Sequence, residues 1–499
     1  MSSSPAPHFR VLIVGTGFAG IGMAIKLREA GVHDFVLLEK ADDLGGTWRD
    51  NTYPGCRCDV PSHLYSFSFE PNPNWSHTFS PQPEIWDYIR HCARKYGVEP
   101  HIRYRHEVRS AAWDDDRQLW LLDTSQGPVT ADVVIAGMGG LHVPSYPDIP
   151  GLDLFEGDKF HSAEWNHDHD LAGERVAVIG TGASSIQFVP QIQPRVAKLH
   201  VFQRTAPWIM PLRDRPITRP ERRVYRASRT AQLAMRAAIY WARESFVIGF
   251  MHPRWMENMA GRVAKKYLEE SIDDPELRTK LTPNYTIGCK RVLISNDYYP
   301  ALNQPNVDVV TDGIREVKAG AIVDAHGVER EVDTIIYGTG FRVSDMPASK
   351  LVRGRTGRTL YEAFEGSPKA HRGTTFAEFP NLFMMVGPNT GLGHNSIVFM
   401  IESQVNYVID ALRWMERNGV ATVEPRADVQ QRWNESIDER LQGTVWNAGG
   451  CKSWYLDDTG RNSTLWPGFT WPFREATRRF DPVEYVTRSP VRERELVPA

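Results

Sequence analysis

Two stretches of this chain, FRVLIVGTGFAG and ERVAVIGTGASS, each run an apolar strand straight into a glycine-rich turn and out into a helical pattern. In the first, Gly15, Gly17 and Gly20 form the Gly-x-Gly-x-x-Gly arrangement directly after Val11 to Val14. The first glycine permits the tight turn, the second lets backbone approach a pyrophosphate, and the third lets the helix pack on its strand. The next apolar strand, FVLLEK, ends in Glu39, 24 positions after Gly15. A carboxylate there accepts hydrogen bonds from ribose hydroxyls and repels a 2'-phosphate, which suits FAD or NAD.

The same plan returns at Gly180 and Gly182, followed by Ser184 and by Ser185 in the place of the third glycine. Here the second strand, LHVFQRT, puts Arg204 at the offset that held Glu39, with Thr205 beside it. Arginine in place of the acid changes the preferred ligand from a bare ribose to one carrying a 2'-phosphate, so the second site is expected to take NADP. Two further apolar strands, in DVVIAGMGG (132–140) and DTIIYGTGF (333–341), read as the closing strands where the chain crosses from one unit to the other. NLFMMVGPNTG then supplies a buried strand from Leu382 to Val386 and a Gly387, Pro388, Asn389 turn that returns to the first unit. Between Arg219 and Asp274 the pattern is helical and rich in Arg and Ala. The predicted architecture is α/β, with two nested Rossmann-type dinucleotide-binding domains and a helical insertion. The first FAD-binding part covers 1–145, and the NADP-binding domain covers 146–341 with the insertion at about 215–280. Residues 342–499 return to the FAD-binding domain and add the C-terminal region.

At 499 residues there is material for roughly three domains. With 41% hydrophobic and 24% charged residues the chain reads as an ordinary globular protein, and a net charge of -3 argues against a nucleic-acid partner. The opening MSSSPAPHFR reads as a short tail without a secretory signal. The longest apolar run, Ala237 to Met251, is interrupted by Arg243 and Glu244 and is too short for a membrane span. It is expected to be a helix packed inside the protein, with peripheral membrane contact left open. Five cysteines offer no disulfide framework, which fits a reducing, cytoplasmic setting. Cys56 and Cys58 lack companions at zinc-ligand spacing, so no metal is expected. Nor do they match a Cys-x-x-Cys redox pair, and small packing roles suit them better.

The stretch FEGDKFHSAEWN between the two motifs carries Phe155, Gly157, His161 and Trp165. With these residues the sequence resembles the type I Baeyer-Villiger monooxygenases, whose fingerprint is Phe-x-Gly-x-x-x-His-x-x-x-Trp followed by Pro or Asp; Asn166 departs from it at the last place. Flavin-containing N- and S-oxygenases are similar but usually carry tyrosine where Trp165 stands. A second family fingerprint matches throughout, at Gly45, Gly46, Trp48, Tyr53, Pro54, Gly55 and Asp59. The resemblance implies a class B flavoprotein monooxygenase that uses FAD, NADPH and O2. It would convert a small-molecule ketone to an ester or lactone through a flavin C4a-peroxide, with sulfoxidation as a further activity.

The resemblance also implies roles for single residues. Arg291 looks like the active-site arginine and Asp59 like its carboxylate partner. Gly15, Gly17, Gly20, Glu39, Thr47, Trp48, Asp59 and Asn389 would hold FAD. Gly180, Gly182, Ser184, Ser185, Arg204, Thr205, Lys290 and Trp454 would hold NADP. Phe155, Gly157, His161 and Trp165 would couple nicotinamide binding to domain movement rather than act as acid, base or nucleophile. The need for an arginine also stands on physical grounds, since oxygen insertion builds negative charge and a fixed, permanently charged donor stabilises it in a water-poor pocket. Two other readings remain at this stage: an N- or S-oxygenating flavin enzyme, and a flavin redox sensor without carbonyl turnover.

Overall fold

The structure, a computed structural model, describes residues 6–343 and 345–491. His8 already opens the first strand, so the expected tail is shorter than read, and residues 1–5 lie outside the described residues.

Strand His8–Val14 is apolar on both faces because helices and loops cover both sides of its sheet. It pairs in parallel with Phe35–Leu38 on one side and Val129–Ala136 on the other. The sheet runs Val352–Arg353, Val108–Asp114, Leu119–Thr124, Val129–Ala136, His8–Val14, Phe35–Leu38, Ile102–Arg103. Leu382–Met384 also joins it, pairing Leu382 with Val134. The return of the chain to the first sheet, expected from NLFMMV, is therefore a matter of register.

The second sheet is wholly parallel and runs Val307–Val310, Lys198–Phe202, Arg175–Ile179, Thr334–Tyr337, Asp158–His161. Its last strand corrects the sequence reading. FEGDKFH lies within the bounds 146–341 of the second unit but gives no strand pattern, yet Asp158–His161 is an edge strand there, with Tyr337 opposite His161. Four residues with two polar members gave too little periodicity to show this.

The insertion is helical from Arg219 to Leu281, in segments Arg219–Ala227, Arg229–Glu244, Val247–Met251, Pro253–Met256, Arg262–Ser271 and Pro275–Leu281. Local chemistry starts these helices: Thr218 and Glu221 form a reciprocal capping box, and Ser228 and Asp274 cap the next starts. The run Ala237 to Met251 does not form the packed interior helix expected of it. Within it only Glu244, Val247 and Phe250 are buried, whereas Trp241 is 59% and Phe246 52% exposed.

A second correction concerns the cysteines. Cys289 and Cys451 are joined by a disulfide although 162 residues apart in sequence. Spacing along a chain is silent about a pair that the fold alone brings together. Cys56, Cys58 and Cys92 are free and buried, as packing residues should be.

Candidate active site

The two glycine turns use their glycines for space. Gly15 and Gly180 sit at φ of 96° and 105°, a region closed to most side chains. At Gly20 a Cβ would lie 1.9 Å from the Gly15 carbonyl oxygen, so helix and strand approach too closely for any side chain. In the second turn Ser185 is accommodated by a different partner. Its Oγ lies where a Cβ on Gly338 would fall, only 1.9 Å from that position. The missing glycine of the motif is thus supplied from across the turn by the GTG of DTIIYGTGF.

Over the first turn lies the loop of the second fingerprint. A Cβ on Gly46 would stand 3.2 Å from the Cα of Gly17, so two backbones without side chains face each other there. Thr47 opens a short helix, Thr47–Asp50, and Trp48 behind it is buried with its Nε1 donating to Tyr65 Oη at 3.0 Å. Glu39 is buried and accepts from Thr16 N at 3.1 Å, Thr16 Oγ1 at 2.6 Å and Ala41 N at 3.0 Å, with Arg49 Nη1 at 3.0 Å. Asn389, in the turn after Leu382–Met384, is buried. Its amide donates to the carbonyls of Asn462 (2.7 Å) and Leu465 (3.0 Å) and its oxygen accepts from Arg461 (3.0 Å). Its side chain is spent inside the protein, and what it adds to the site is the left-handed turn at φ 57°.

The Asp59 and Arg291 side chains, 232 residues apart, meet in a two-pronged ion pair. Arg291 Nε and Nη2 each donate to a different Asp59 oxygen at 2.7 Å. Their side chains are 27% and 33% exposed, so the pair lines an open face rather than a sealed core. Asp59 raises the Arg291 guanidinium above its already high value. Burial works to raise the Asp59 carboxyl, but Arg291 and then Arg243 outweigh it and hold it below the ordinary range. Both partners remain charged at working pH.

Arg204 is exposed and Lys290 half-buried. Burial, and then the charge of Arg204, lower the Lys290 ammonium below the usual lysine value. Neither cation has an acidic partner among the described residues, and Lys290 Nζ stands 5.0 Å from the Tyr285 ring centre. Two cations close enough to affect each other and lacking acidic partners have charge to spare for an anionic group. Arg204→Ala is expected to raise the KM for NADPH roughly tenfold to a hundredfold, the range of one lost charge-assisted hydrogen bond. The KM for NADH should move little, and steady-state kinetics with the two cofactors checks this.

His161 is fully buried, accepts from Ala163 N at 3.1 Å through Nδ1, and packs edge-on against Tyr146 and Phe341 at the crossing between the sheets. Burial lowers its imidazole below the usual value. Trp165 packs on Phe160 and Phe188. Phe155 lies in the core of the second sheet, with its ring over Gly157, where a Cβ would lie 2.1 Å from the Asp333 carbonyl and 2.7 Å from the ring. Trp454 is 43% exposed and tilts against Tyr455.

Sequence reading missed three groups around this face. Arg243 and Glu244, noted only as interruptions of an apolar run, point inward from helix Arg229–Glu244. Arg243 Nη2 donates to the Asp59 carbonyl at 2.8 Å. Glu244 is 1% exposed and accepts from Asn395 Nδ2 at 2.6 Å, Thr470 Oγ1 at 2.8 Å and Thr470 N at 2.9 Å, with His394 Nε2 at 3.3 Å. A charged pair at the end of an amphipathic helix was the available signal. Tyr455 is the third: its buried hydroxyl has no hydrogen-bond partner, and it interacts electrostatically with Arg291 and Asp59.

Glu244→Ala is expected to cost about 3 kcal/mol, because it strands several buried donors at once. Burial works to raise this carboxyl, but His394, Asn395 and Thr470 hold it below its usual value. The stability it contributes is therefore full above the unfolded-state pKa and is lost as pH falls through the lower folded value. Denaturant titration at neutral pH should show the whole loss, and the gap between the proteins should close under strongly acid conditions.

Two Rossmann-type sheets, each with a glycine turn, together with the Asp59–Arg291 ion pair define a dinucleotide-dependent oxidoreductase. Residues 12–218 match the family model for pyridine nucleotide-disulphide oxidoreductases. A Baeyer-Villiger monooxygenase of Pseudomonas aeruginosa is 52% identical over 98% of this chain and 94% of its own length. The closed crystal structure of cyclohexanone monooxygenase superposes with a TM-score of 0.88 at 29% identity, covering 97% of this chain and all of that one. OTEMO in complex with FAD and NADP gives a TM-score of 0.87 at 26% identity, over 97% of this chain. The chain belongs to the Baeyer-Villiger monooxygenase family.

Proposed function

We propose that this protein is an NADPH- and O2-dependent flavoprotein monooxygenase that inserts one oxygen atom into a ketone to give an ester or lactone. Overall, ketone, O2, NADPH and a proton become ester, water and NADP+. The observation that carries this reading is the two-pronged Asp59 to Arg291 ion pair on an open face.

The residues present fit the two cofactors. Gly15 and Gly20 close the turn on its strand and helix, while Gly17 and Gly46 face each other bare, with space that a Cβ on Gly17 would enter; with Thr47 this backbone suits the FAD pyrophosphate. Glu39 would take the ribose, at the end of the strand Phe35–Leu38 where the Thr16 and Arg49 side chains now meet it. Gly180, Gly182, Ser184 and Ser185 form the matching turn for NADP, where the buried Ser185 hydroxyl lacks a partner. Arg204, Thr205 and Lys290 would hold its 2'-phosphate. When bound, NADPH and FAD supply the reducing equivalents and the activated oxygen.

Arg291 then holds a fixed positive charge where negative charge grows on the reacting oxygens, and it needs no rearrangement to do so. Asp59 orients the guanidinium plane and, with Arg243 fastening its backbone carbonyl, keeps it in register. Trp454 stands at the exposed rim as a contact for the nicotinamide cofactor and substrate. Phe155, Gly157, His161 and Trp165 tie the second sheet to the crossing and transmit movement between the two sheets. A cytoplasmic setting rests on cysteine content alone, and the Cys289–Cys451 bridge weighs against it.

The test is NADPH consumption by the flavin-loaded protein against a panel of ketones and sulfides, with products identified by mass spectrometry. An ester or lactone supports the reading. Only N-oxides, sulfoxides or hydrogen peroxide would remove ketone oxygenation from it.

A further inference from the structure

The outer surface of the helical insertion is apolar where a solvated helix is ordinarily charged. On helix Arg229–Glu244 the outward positions include Leu233, Ala234, Ala237, Ala238, Trp241 and Ala242, all exposed and without a single charge. The apolar surface continues past that helix at Phe246 (52% exposed), Trp255 (59%), Met259 (68%) and Val263 (45%). Trp255, Met259 and Val263 recur at intervals of four and form one stripe. Such a continuous exposed apolar surface marks a contact with something else.

Charge identifies that partner. From Arg219 to Lys266 there are eleven Lys or Arg, of which Arg236 and Arg243 turn inward, and three Asp or Glu; over the whole insertion to Leu281 the net is +5 in a chain whose total is -3. The three acids are already engaged: Glu221 with Arg215, Glu257 with Lys265, and Glu244 in its buried network. Arg219, Arg223 and Arg254 are exposed and have no acidic partner among the described residues. Two copies of so positive a surface repel one another, which disfavours self-pairing. Exposed tryptophans beside unpaired arginines on short amphipathic helices suit the boundary between headgroups and acyl chains of an anionic bilayer. No helix among the described residues is long and apolar enough to cross a membrane, so the contact would lie in the plane of the interface.

We propose that the outer face of residues 219–266 docks this protein on an anionic lipid surface. The helix that would lie on the lipid also turns Arg243 inward to the Asp59 carbonyl, so its inner face walls the active site. The docking surface is independent of which substrate the site oxidises.

The experiment is flotation of the full-length, flavin-loaded protein with vesicles of phosphatidylcholine alone and of phosphatidylcholine mixed with phosphatidylglycerol. The expected result is binding to the mixed vesicles only, weakened by high salt. Arg223→Gln with Arg254→Gln should lower partitioning about thirtyfold, the equivalent of about 1 kcal/mol for each cation. Trp241→Ser with Trp255→Ser should also weaken it, while both variants keep the flavin spectrum and NADPH oxidation of the parent. Failure to bind either vesicle overturns the proposal, as does binding that the four substitutions leave unchanged. A change in oligomeric state on substitution, without vesicle binding, overturns it in favour of a protein interface.

Discussion

Arg291→Ala is expected to lower ester formation by about a hundredfold to a thousandfold or more, while NADPH still bleaches the bound flavin. The separation of the two half-reactions is the informative part. Arg291 is placed by Asp59 on the open face, whereas the groups that would hold NADP, namely Arg204, Thr205 and Lys290, are other residues. Loss of the guanidinium also leaves Asp59 without its main counter-charge, so the carboxyl should rise toward its ordinary value. Arg291→Lys should recover little, because one ammonium cannot span both Asp59 oxygens as the planar fork does. Anaerobic stopped-flow absorbance for flavin reduction, paired with product analysis under oxygen, reads the two steps separately. Normal ester yield from the alanine variant would exclude Arg291 from the chemistry.

Gly20→Ala is expected to give protein that no longer retains flavin, whereas Ser185→Gly should be nearly silent in folding. A methyl at Gly20 meets the Gly15 carbonyl oxygen at 1.9 Å, and that oxygen belongs to the turn itself. Relief requires the helix to leave the strand, at about 3 kcal/mol or more, which is the upper range for overfilled cores. At Ser185 the corresponding space already contains a side chain, because Gly338 opposite has none. The reciprocal change, Gly338→Ala, should cost less than Gly20→Ala, because the methyl meets the Ser185 hydroxyl rather than backbone, and Ser185→Gly should relieve it. Flavin content per mole of purified protein and thermal melting distinguish these outcomes.

That pair of turns shows how far sequence reading reached. Strand, turn and helix were legible because their period and glycine spacing are local. Ser185 counted against the second motif only because its compensating residue, Gly338, lies 153 positions away. The ion pair was legible through two motifs, one holding Asp59 and one following Lys290, though spacing alone could not have joined them. The partners of Glu244 and the Cys289–Cys451 bridge were out of reach for the same reason, since each depends on contacts between distant segments. For His161 the sequence did not show its strand, which pairs in parallel with Thr334–Tyr337 and sets Tyr337 opposite it. For Asn389 the resemblance implies a part in holding FAD, and what the sequence does not show is that its side chain bonds to Asn462, Leu465 and Arg461.

The nesting of the two sheets bears on how the chain is made. All five strands of the second sheet lie between residues 158 and 337, whereas the first sheet needs Leu382–Met384 to complete it. As the polypeptide leaves the ribosome, the inner unit has every strand available before its host does. The host must wait as an unfinished platform with the strand Val129–Ala136 lacking its late partner. A stalled or truncated product ending near residue 341 would thus present a finished guest on an open-edged host, a form that exposes strand edges and invites aggregation.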